Sequence, residues 1–337
     1  MCAVRDVCVI GLGLIGGSVL RAASAAGRTV WGASTAQADV DAATADGFDA
    51  GTDVAEALGR AAQRDALVVL AVPLTAVDDV LRIVGMHAPN CLLTDVTSVK
   101  GPVAESVARL APEARYAGGH PMAGTTESGW KAGTATLFEG ATWVVCLEED
   151  DSVAHDGTGA ASADLTAWRE AATLALDAGA RVVAIPALAH DATVARTSHL
   201  PHLLAAILAN AAASGGPIAG ALAAGSLRDG IRVAGTRPEL VRAMTEGNRA
   251  ALLPVLDEAL GMLGAARGSL ASTGGLKVTI DAGHDAHASL AAAQDGPRTP
   301  VTLDLNAPDA REGLVSFGLR GGWFTALDGD TLRGEVA

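Results

Sequence analysis

The residue in this chain whose surroundings best suit proton transfer is a histidine between two glycines and a proline. His120 stands in the run GGHPMAGT, which follows a predicted strand at Ala114–Ala117. Imidazole is the side chain whose ordinary pKa lies nearest to neutral pH, so it can accept or release a proton under physiological conditions. Glycine and proline favour neither helix nor strand. We therefore predict that His120 lies on a shaped loop and acts in catalysis, with a purely structural histidine as the alternative.

A glycine-rich turn near the N-terminus has the spacing of a dinucleotide-binding motif. The residues from Gly11 to Gly16 read G-x-G-x-x-G, and they stand between the apolar run Val7–Ile10 and an alanine-rich helical pattern. In such a turn Gly11 permits the tight bend, Gly13 lets a pyrophosphate approach the backbone, and Gly16 lets the helix pack against the strand. The first helical turn then offers unpaired N–H groups to the phosphates. The motif therefore predicts a bound dinucleotide.

The choice between NAD and NADP depends on the end of the second predicted strand, Thr29–Gly32. Eighteen residues after Gly16, where NAD-binding turns of this type are followed by an acidic residue, the chain has Ser34. A serine leaves no carboxylate to repel a 2′-phosphate, yet no arginine stands beside it, so the pattern predicts NAD or NADP. The predicted cofactor-binding residues are Gly11, Gly13, Leu14, Ile15, Gly16, Ser34, Thr35, Val72 and Pro73.

A serine follows the predicted strand Cys91–Val96. Because the C-terminal ends of strands in a doubly wound sheet face the ligand crevice, we expect Ser98 to lie in that crevice, at the start of a helix. There it is either the N-cap of the helix or a residue of the site, and both roles can coexist.

The C-terminal half contains histidines and arginines in two short clusters. His199 and His202 are three residues apart and so share one face of a helix, but no third ligand has matching spacing, and we predict no metal site. Further on, Arg228, Asp229 and Arg232 lie within five residues. They are either a solvated charged turn or a substrate-binding group in which Arg232 binds a carboxylate while Asp229 orients it.

The elements that must position these residues divide the chain into an α/β half and a helical half. Residues 1–186 alternate short apolar strands with helical patterns, which predicts a dinucleotide-binding domain with a Rossmann-type, doubly wound parallel sheet. Residues 187–290 carry helical patterns and are predicted to form an all-α substrate domain. Residues 291–337 are a tail in which only Pro300–Leu305 is predicted as a strand. Other predicted elements are strands at Ala66–Val72, Thr142–Leu147 and Arg181–Ile185, a helix at Ile218–Leu227 and an exposed loop at Glu148–Ser162.

Composition and charge restrict the classes of function. The chain has 337 residues, enough for two domains, and 38 acidic against 24 basic residues give a formal charge of −14. Such a surface repels phosphate backbones and anionic lipids, so neither nucleic acid nor a membrane is an expected partner. No apolar run reaches the roughly 18 residues of a membrane span, and the N-terminus enters a strand instead of a signal peptide. Four scattered cysteines fit a reducing compartment, and a cytoplasmic protein is expected.

Taken together, these motifs resemble the prephenate/arogenate dehydrogenase family of tyrosine biosynthesis, in its actinobacterial branch. Family members oxidise a cyclohexadienol: hydride passes from C4 to the nicotinamide, CO2 leaves, and the ring becomes aromatic. The resemblance implies the same reaction on arogenate, prephenate or both, and a homodimer joined through the helical domains. The motifs that carry it are GLGLIGGS at Gly11–Ser18, TDVTSVKG at Thr94–Gly101, GGHPMAGT at Gly118–Thr125, HDA at His190–Ala192, SHLPH at Ser198–His202 and AAGSLRDGIRVAGTRP at Ala223–Pro238.

The same resemblance implies a role for each candidate residue. His120 accepts the hydrogen bond or the proton of the substrate 4-hydroxyl, and Ser98 helps to orient both groups. Arg232 binds a substrate carboxylate, and His202, with His199 near it, lines the side-chain end of the substrate.

Three other functions are compatible with parts of the sequence. A β-hydroxyacid dehydrogenase has a similar N-terminus but uses a lysine at the start of its helical domain, and here no lysine lies between Lys131 and Lys277. A dinucleotide-sensing protein without activity would not need Ser98, His120 and Arg232 together. An enzyme for an amino-substituted analogue is a third alternative.

Overall fold

The structure is a computed structural model that describes residues 5–125, 127–148 and 165–337. It has two compact units, the first formed by Met1–His190 with Pro300–Val336 and the second by Asp191–Thr299. From residue 149 onward, the loop predicted at Glu148–Ser162 lies outside the described residues.

The first sheet confirms the predicted Rossmann-type domain. Its strand order is β3-β2-β1-β4-β5-β6, the order of the doubly wound dinucleotide-binding fold, and all its pairings are parallel. The strands are β1 (Val7–Ile10), β2 (Val30–Ala33), β3 (Ala50–Gly51), β4 (Leu67–Leu70), β5 (Leu92–Asp95) and β6 (Arg115–Ala117). The helices between them are α1 (Leu14–Ala25), α2 (Gln37–Ala45), α3 (Val54–Arg64), α4 (Leu74–His87) and α5 (Gly101–Leu110).

The sheet is buried on both faces because successive side chains of its strands point to opposite sides. On β1, Val7 and Val9 belong to one hydrophobic cluster, and Cys8 and Ile10 belong to the other. Burial raises the pKa of Cys8 to about 12, so this thiol stays protonated and serves as a small apolar core residue.

A second sheet of six strands, which the sequence did not predict, adjoins the first along the chain. Its order is β10-β12-β11-β9-β8-β7, with β8 and β9 parallel and β7 antiparallel to β8. The predicted strands at Thr142–Leu147 and Arg181–Ile185 are real but belong to this sheet. Its strands are β7 (Gly119–Pro121), β8 (Thr142–Cys146), β9 (Arg181–Ile185), β10 (Thr299–Asp304), β11 (Trp323–Asp328) and β12 (Thr331–Val336), with α6 (Leu165–Asp177) after β8.

The C-terminal segment completes this second sheet. The predicted strand at Pro300–Leu305 is confirmed as β10, and it is followed by α14 (Ala310–Leu319) and the β11–β12 hairpin, which the sequence had left without structure. β11 pairs with β9 through Phe324 and Val182. The Phe317 ring of α14 lies 4.7 Å from the Phe324 ring, centroid to centroid.

The second unit is built from helices, and residues 191–298, all of them described, contain no strand. The predicted helix at Ile218–Leu227 is wrong as a single element, because Ala223 and Ala224 take extended backbone and divide it into two. The helices are α7 (Ala187–Val194), which begins in the first unit, α8 (Leu200–Ala213), α9 (Gly216–Leu222), α10 (Gly225–Ile231), α11 (Pro238–Gly247), α12 (Arg249–Ser272) and α13 (Lys277–Asp295).

No single helix of the described residues is both long and apolar enough to cross a bilayer, although Ala187–Ala213 and Gly216–Leu222, bent by 117°, would be so together by length and composition.

The close contact between α14 and β9 predicts that one added methyl group will destabilise the fold. A Cβ on Gly318 would lie 1.9 Å from the backbone oxygen of Ala184, whereas one on Gly313 of the same helix would have no heavy atom within 4 Å. We expect Gly318→Ala to lower the free energy of unfolding by about 3 kcal/mol, the upper range for overpacking. Gly313→Ala, the matched control, should leave it unchanged or raise it by up to about 1 kcal/mol. Urea denaturation measures both, and equal stability of the two variants would contradict this packing.

Candidate active site

The glycine-rich turn has the geometry that a dinucleotide requires. Gly11 has a φ of 101°, and a Cβ on Gly16 would lie 1.9 Å from the Gly11 oxygen. A Cβ on Gly13, by contrast, would have no heavy atom within 4 Å, so the backbone is open on the side where a pyrophosphate is expected. Gly13 is the N-cap of α1, and the first turn of that helix has no acidic side chain. Its N–H groups and the helix dipole therefore suit an anionic diphosphate.

The remaining predicted cofactor residues lie at the C-terminal ends of the neighbouring strands. Ser34 follows β2 and is buried, and its hydroxyl oxygen accepts the N–H of Ala36 at 3.3 Å. The hydroxyl hydrogen is therefore still available to a ribose or phosphate oxygen. Thr35 is exposed next to it, and Val72 and Pro73 lie between β4 and α4. Leu14 and Ile15 are half-buried in the first turn of α1.

A buried ion pair lies where the chain leaves the first sheet for the second. The Asp95 carboxylate at the end of β5 and the Lys100 ammonium are 0% and 1% exposed and form a salt bridge. Lys100 also donates a hydrogen bond to the carbonyl oxygen of Gly119. The carboxylate accepts further hydrogen bonds from the Tyr116 hydroxyl at 2.6 Å, from the hydroxyl and the N–H of Thr97 at 2.7 and 2.8 Å, and from the Gly119 N–H at 3.4 Å. β5, β6 and the first residue of β7 are thus joined through one carboxylate.

His120 lies in a strand, and the predicted loop is wrong. It is the central residue of β7, where it pairs with Val144 of β8. β7 is the edge strand of the second sheet, so Pro121, which has no N–H to donate, is tolerated there. The imidazole is buried, with 9% exposure.

A second histidine, which the sequence analysis left without a role, contacts His120. The Nδ1 atom of His120 lies 2.8 Å from the Nε2 atom of His190, and the two rings meet edge to face at 72°. His190 is in α7 and 1% exposed. The two residues are 70 positions apart, and only the HDA motif at His190–Ala192 pointed to this region.

Ser98 lies at the C-terminal end of β5 as predicted, but it is not the N-cap of a helix. α5 begins at Gly101, its N-cap is Lys100, and Pro102 stands in its first turn. Proline has a φ already suited to a first helical turn, which explains the later start. The Ser98 side chain is half-buried, and within the described chain no residue forms a hydrogen bond with its hydroxyl. Ser98 and His120 therefore do not share a hydrogen bond in this structure.

The two histidines of the SHLPH motif have different environments. His199 is buried, and its Nδ1 accepts a hydrogen bond at 3.0 Å from the amide nitrogen of Asn248, which also donates to the Asp191 oxygen at 2.7 Å. These contacts support the start of α12 from inside the unit. His202 is half-buried and donates from Nδ1 to the Ser198 oxygen at 2.8 Å, which leaves Nε2 as its acceptor atom.

Arg232 and Asp229 are both exposed but do not contact each other. Asp229 is in α10, and Arg232 begins the 3-10 turn that follows. Among the residues that the structure describes, neither side chain has an ion-pair partner. The two side chains form no ion pair with each other, so the structure shows no direct contact by which Asp229 orients Arg232. The Arg232 guanidinium can bind an external anion.

Comparisons with known proteins agree along most of the chain. Residues 18–155 match a family model described as prephenate dehydrogenase, nucleotide-binding domain, and residues 186–273 match prephenate dehydrogenase, dimerization domain. A cyclohexadienyl dehydrogenase from Zymomonas mobilis is 32% identical over 281 residues, which are 82% of this chain and 92% of that protein.

Solved structures show the same similarity. A candidate prephenate dehydrogenase from Corynebacterium glutamicum is 42% identical, with a TM-score of 0.85 over 94% of this chain and 97% of that one. Synechocystis arogenate dehydrogenase is 26% identical, with a TM-score of 0.70 over 85% of this chain and 100% of that one.

The buried ion pair predicts a large loss of stability when one partner is removed. Lys100→Met leaves the Asp95 carboxylate buried without a cation, so we expect the free energy of unfolding at pH 7 to fall by about 3–5 kcal/mol. Lys277→Met is the matched control, because Lys277 is 86% exposed and pairs with Asp281 at the surface. That change should cost less than about 1 kcal/mol. Equal urea midpoints for the two variants would show that Lys100 does not stabilise this junction.

Proposed function

The chain belongs to the prephenate dehydrogenase family, and on this basis we propose that it oxidises and decarboxylates arogenate, prephenate or both. The observation that carries the proposal is the buried His120 imidazole, held in a strand that begins next to the nucleotide-binding sheet. A bound NAD or NADP supplies the acceptor for the hydride that leaves C4. The product ring becomes aromatic as CO2 is lost, so the protein mainly has to bind, orient and deprotonate the substrate.

The residues of the first unit bind the cofactor and the reacting hydroxyl. The N–H groups at the start of α1 bind the diphosphate, with Gly13 giving it room. His120 accepts the proton of the 4-hydroxyl, and the Ser98 hydroxyl hydrogen-bonds the same oxygen. Ser34 and Thr35 bind the ribose. Since Ser34 brings no carboxylate, we propose that NADP is accepted as well as NAD.

We attribute recognition of the substrate carboxylate to Arg232. In a chain of charge −14, the exposed Arg232 guanidinium is a local site for an anion, and its planar donors match a carboxylate. His202 contributes an acceptor nitrogen for the side-chain end of the substrate. For His199, which the resemblance places near His202, the hydrogen bond with Asn248 favours a role in supporting this unit.

A spectrophotometric assay tests the proposal. Purified protein with arogenate or prephenate should reduce NAD or NADP, read at 340 nm, and His120→Asn should lower kcat by roughly 10²–10⁴-fold, as expected for loss of a positioned base. Cofactor affinity should not change. His87→Asn, at an exposed position in α4, is the control and should keep the wild-type kcat. The proposal fails if neither substrate is oxidised, and the role of His120 fails if its variant is fully active.

We further propose that the protein is a homodimer joined through its helical unit. The match to a dimerization domain over residues 186–273 supports this. The apolar surface of the unit supports it too, because α13 has no buried residue and few apolar side chains of the unit are buried. Large apolar residues with exposures of 42% or more are Leu204, Ile207, Leu208, Ile218, Leu222, Leu240, Leu253, Leu260, Met262, Leu263, Leu270, Val278, Ile280 and Leu290. Exposed patches of this kind mark protein interfaces.

Light scattering at micromolar concentration should therefore give twice the chain mass of 33.6 kDa. Leu263→Glu in α12 should shift the protein toward the monomer, since it would bury a charge in the interface. Leu319→Glu in α14, at a comparably exposed leucine of the first unit, should remain dimeric. A monomeric wild-type protein would contradict the proposal.

A further inference from the structure

We propose that His190 is a positioning residue that fixes the protonation pattern of His120 and shares the charge that His120 acquires in the reaction. The inference rests on the proposed function in that it takes His120 as the base. It adds a residue that acts through another imidazole and not on the substrate.

The contact itself restricts the two rings to two protonation patterns when both are neutral. Nδ1 of His120 and Nε2 of His190 are 2.8 Å apart, so one proton lies between them. If His120 donates, its Nε2 has a lone pair and can act as a base. If His190 donates, the His120 proton is on Nε2, and that ring can only donate to a hydroxyl oxygen.

Proton abstraction requires the first pattern. The O–H bond of the substrate breaks, its electron pair stays on oxygen, and a new N–H bond forms at Nε2 of His120. The ring is then an imidazolium whose Nδ1–H points at the lone pair of His190. A hydrogen bond from a charged donor is stronger than one between neutral groups, so His190 stabilises the protonated base in a buried environment.

Each imidazole is held by contacts of its own element. On the His120 side, Lys100 donates to the carbonyl of Gly119, the preceding residue. On the His190 side, the Glu148 carboxylate accepts the N–H of Ala187 at 3.0 Å in the first turn of α7. Arg311 of α14 donates to the Glu148 backbone oxygen at 3.3 Å. The distance between the two rings is therefore set by two separately anchored elements.

Other titratable groups on the surrounding elements are the same in every variant of His190. They are Asp95 and Lys100 at β5 and α5, Tyr116 on β6, Cys146 on β8, Glu148 after β8, Asp191 on α7 and Arg311 on α14. Asp95 and Lys100 form an ion pair, and Arg311 donates to the backbone oxygen of Glu148. A change in the pH profile on substitution of His190 is thus assigned to the imidazole that was removed.

The test compares His190→Leu, which removes the acceptor, with His190→Gln, whose side-chain oxygen can replace Nε2 as an acceptor. The control is His87→Gln at an exposed position. The pH dependence of kcat/KM is measured from pH 5 to 10. We expect His190→Leu to lower kcat/KM by about 10²-fold, as misoriented catalytic histidines do, and His190→Gln to recover most of it.

The acid limb of the pH dependence of kcat/KM distinguishes a positioning role of His190 from a purely structural one, because loss of structure alone would not shift it. Without an acceptor the imidazolium of His120 is less stable, so more acid is needed to protonate it. The pH of half-maximal kcat/KM should fall by about one unit in His190→Leu and less in His190→Gln. Wild-type kcat/KM and an unmoved acid limb in a folded His190→Leu would overturn the proposal.

Long-range ¹H–¹⁵N spectra of the histidine rings provide a second measurement that needs no activity. In the wild-type protein at pH 8, His120 should carry its proton on Nδ1, with Nε2 unprotonated. A proton on Nε2 of His120 would overturn the proposal even if both substrates are oxidised. If neither substrate is oxidised, the spectra still decide the protonation pattern, so failure of the proposed function is distinguishable. Should His190→Leu not fold, His190→Gln and these spectra decide the question.

Discussion

The buried pair of Asp95 and Lys100 is the interaction on which the candidate site depends. Neither charge has access to water, and removing two ions from water costs several kcal/mol for each of them. Burial is tolerable because the remaining hydrogen-bonding capacity of the carboxylate is taken up by Tyr116 and Thr97, and because Lys100 has a backbone carbonyl as a second acceptor. An apolar pair of the same volume could be equally stable. It could not join three successive strands by directional bonds.

The position of this pair explains how His120 is held in place although the chain changes from one sheet to the other just before it. β6 ends at Ala117 and β7 begins at Gly119, so a single residue, Gly118, separates the sheets. Without a tie, an edge strand of three residues that includes a proline would be marginal. Lys100 supplies that tie at the Gly119 carbonyl. The His120 imidazole, one residue later, is therefore fixed in position relative to the C-terminal end of β5. The other parallel strands of the nucleotide-binding sheet end at the same edge.

The sequence predicted those parts of the fold that depend on interactions between residues close together in the chain. Apolar strands at Val7–Ile10 and Arg181–Ile185 were predicted with their observed bounds. The glycine-rich turn was recognised because each of its glycines is required by the local geometry. The predictions that failed concern residues whose partners are far away in the sequence. β7 is a strand only because β8 offers it a partner, and no pattern of apolar residues reports which sheet a strand will join. The role of His190 was overlooked for the same reason, since it depends on a contact with the His120 ring, 70 residues earlier in the chain.

The C-terminal segment shows how far support for a site can extend beyond the residues that touch it. Residues 300–336 lie outside both family-model matches, yet they supply three of the six strands of the second sheet and the helix that covers β9. Gly318 brings α14 so close to β9 that a methyl group would not fit. Through Arg311 and Glu148 the same helix reaches the first turn of α7, three residues before His190. The segment is thus part of the architecture that orients the histidine pair, and its link to His190 runs through Arg311, Glu148 and Ala187.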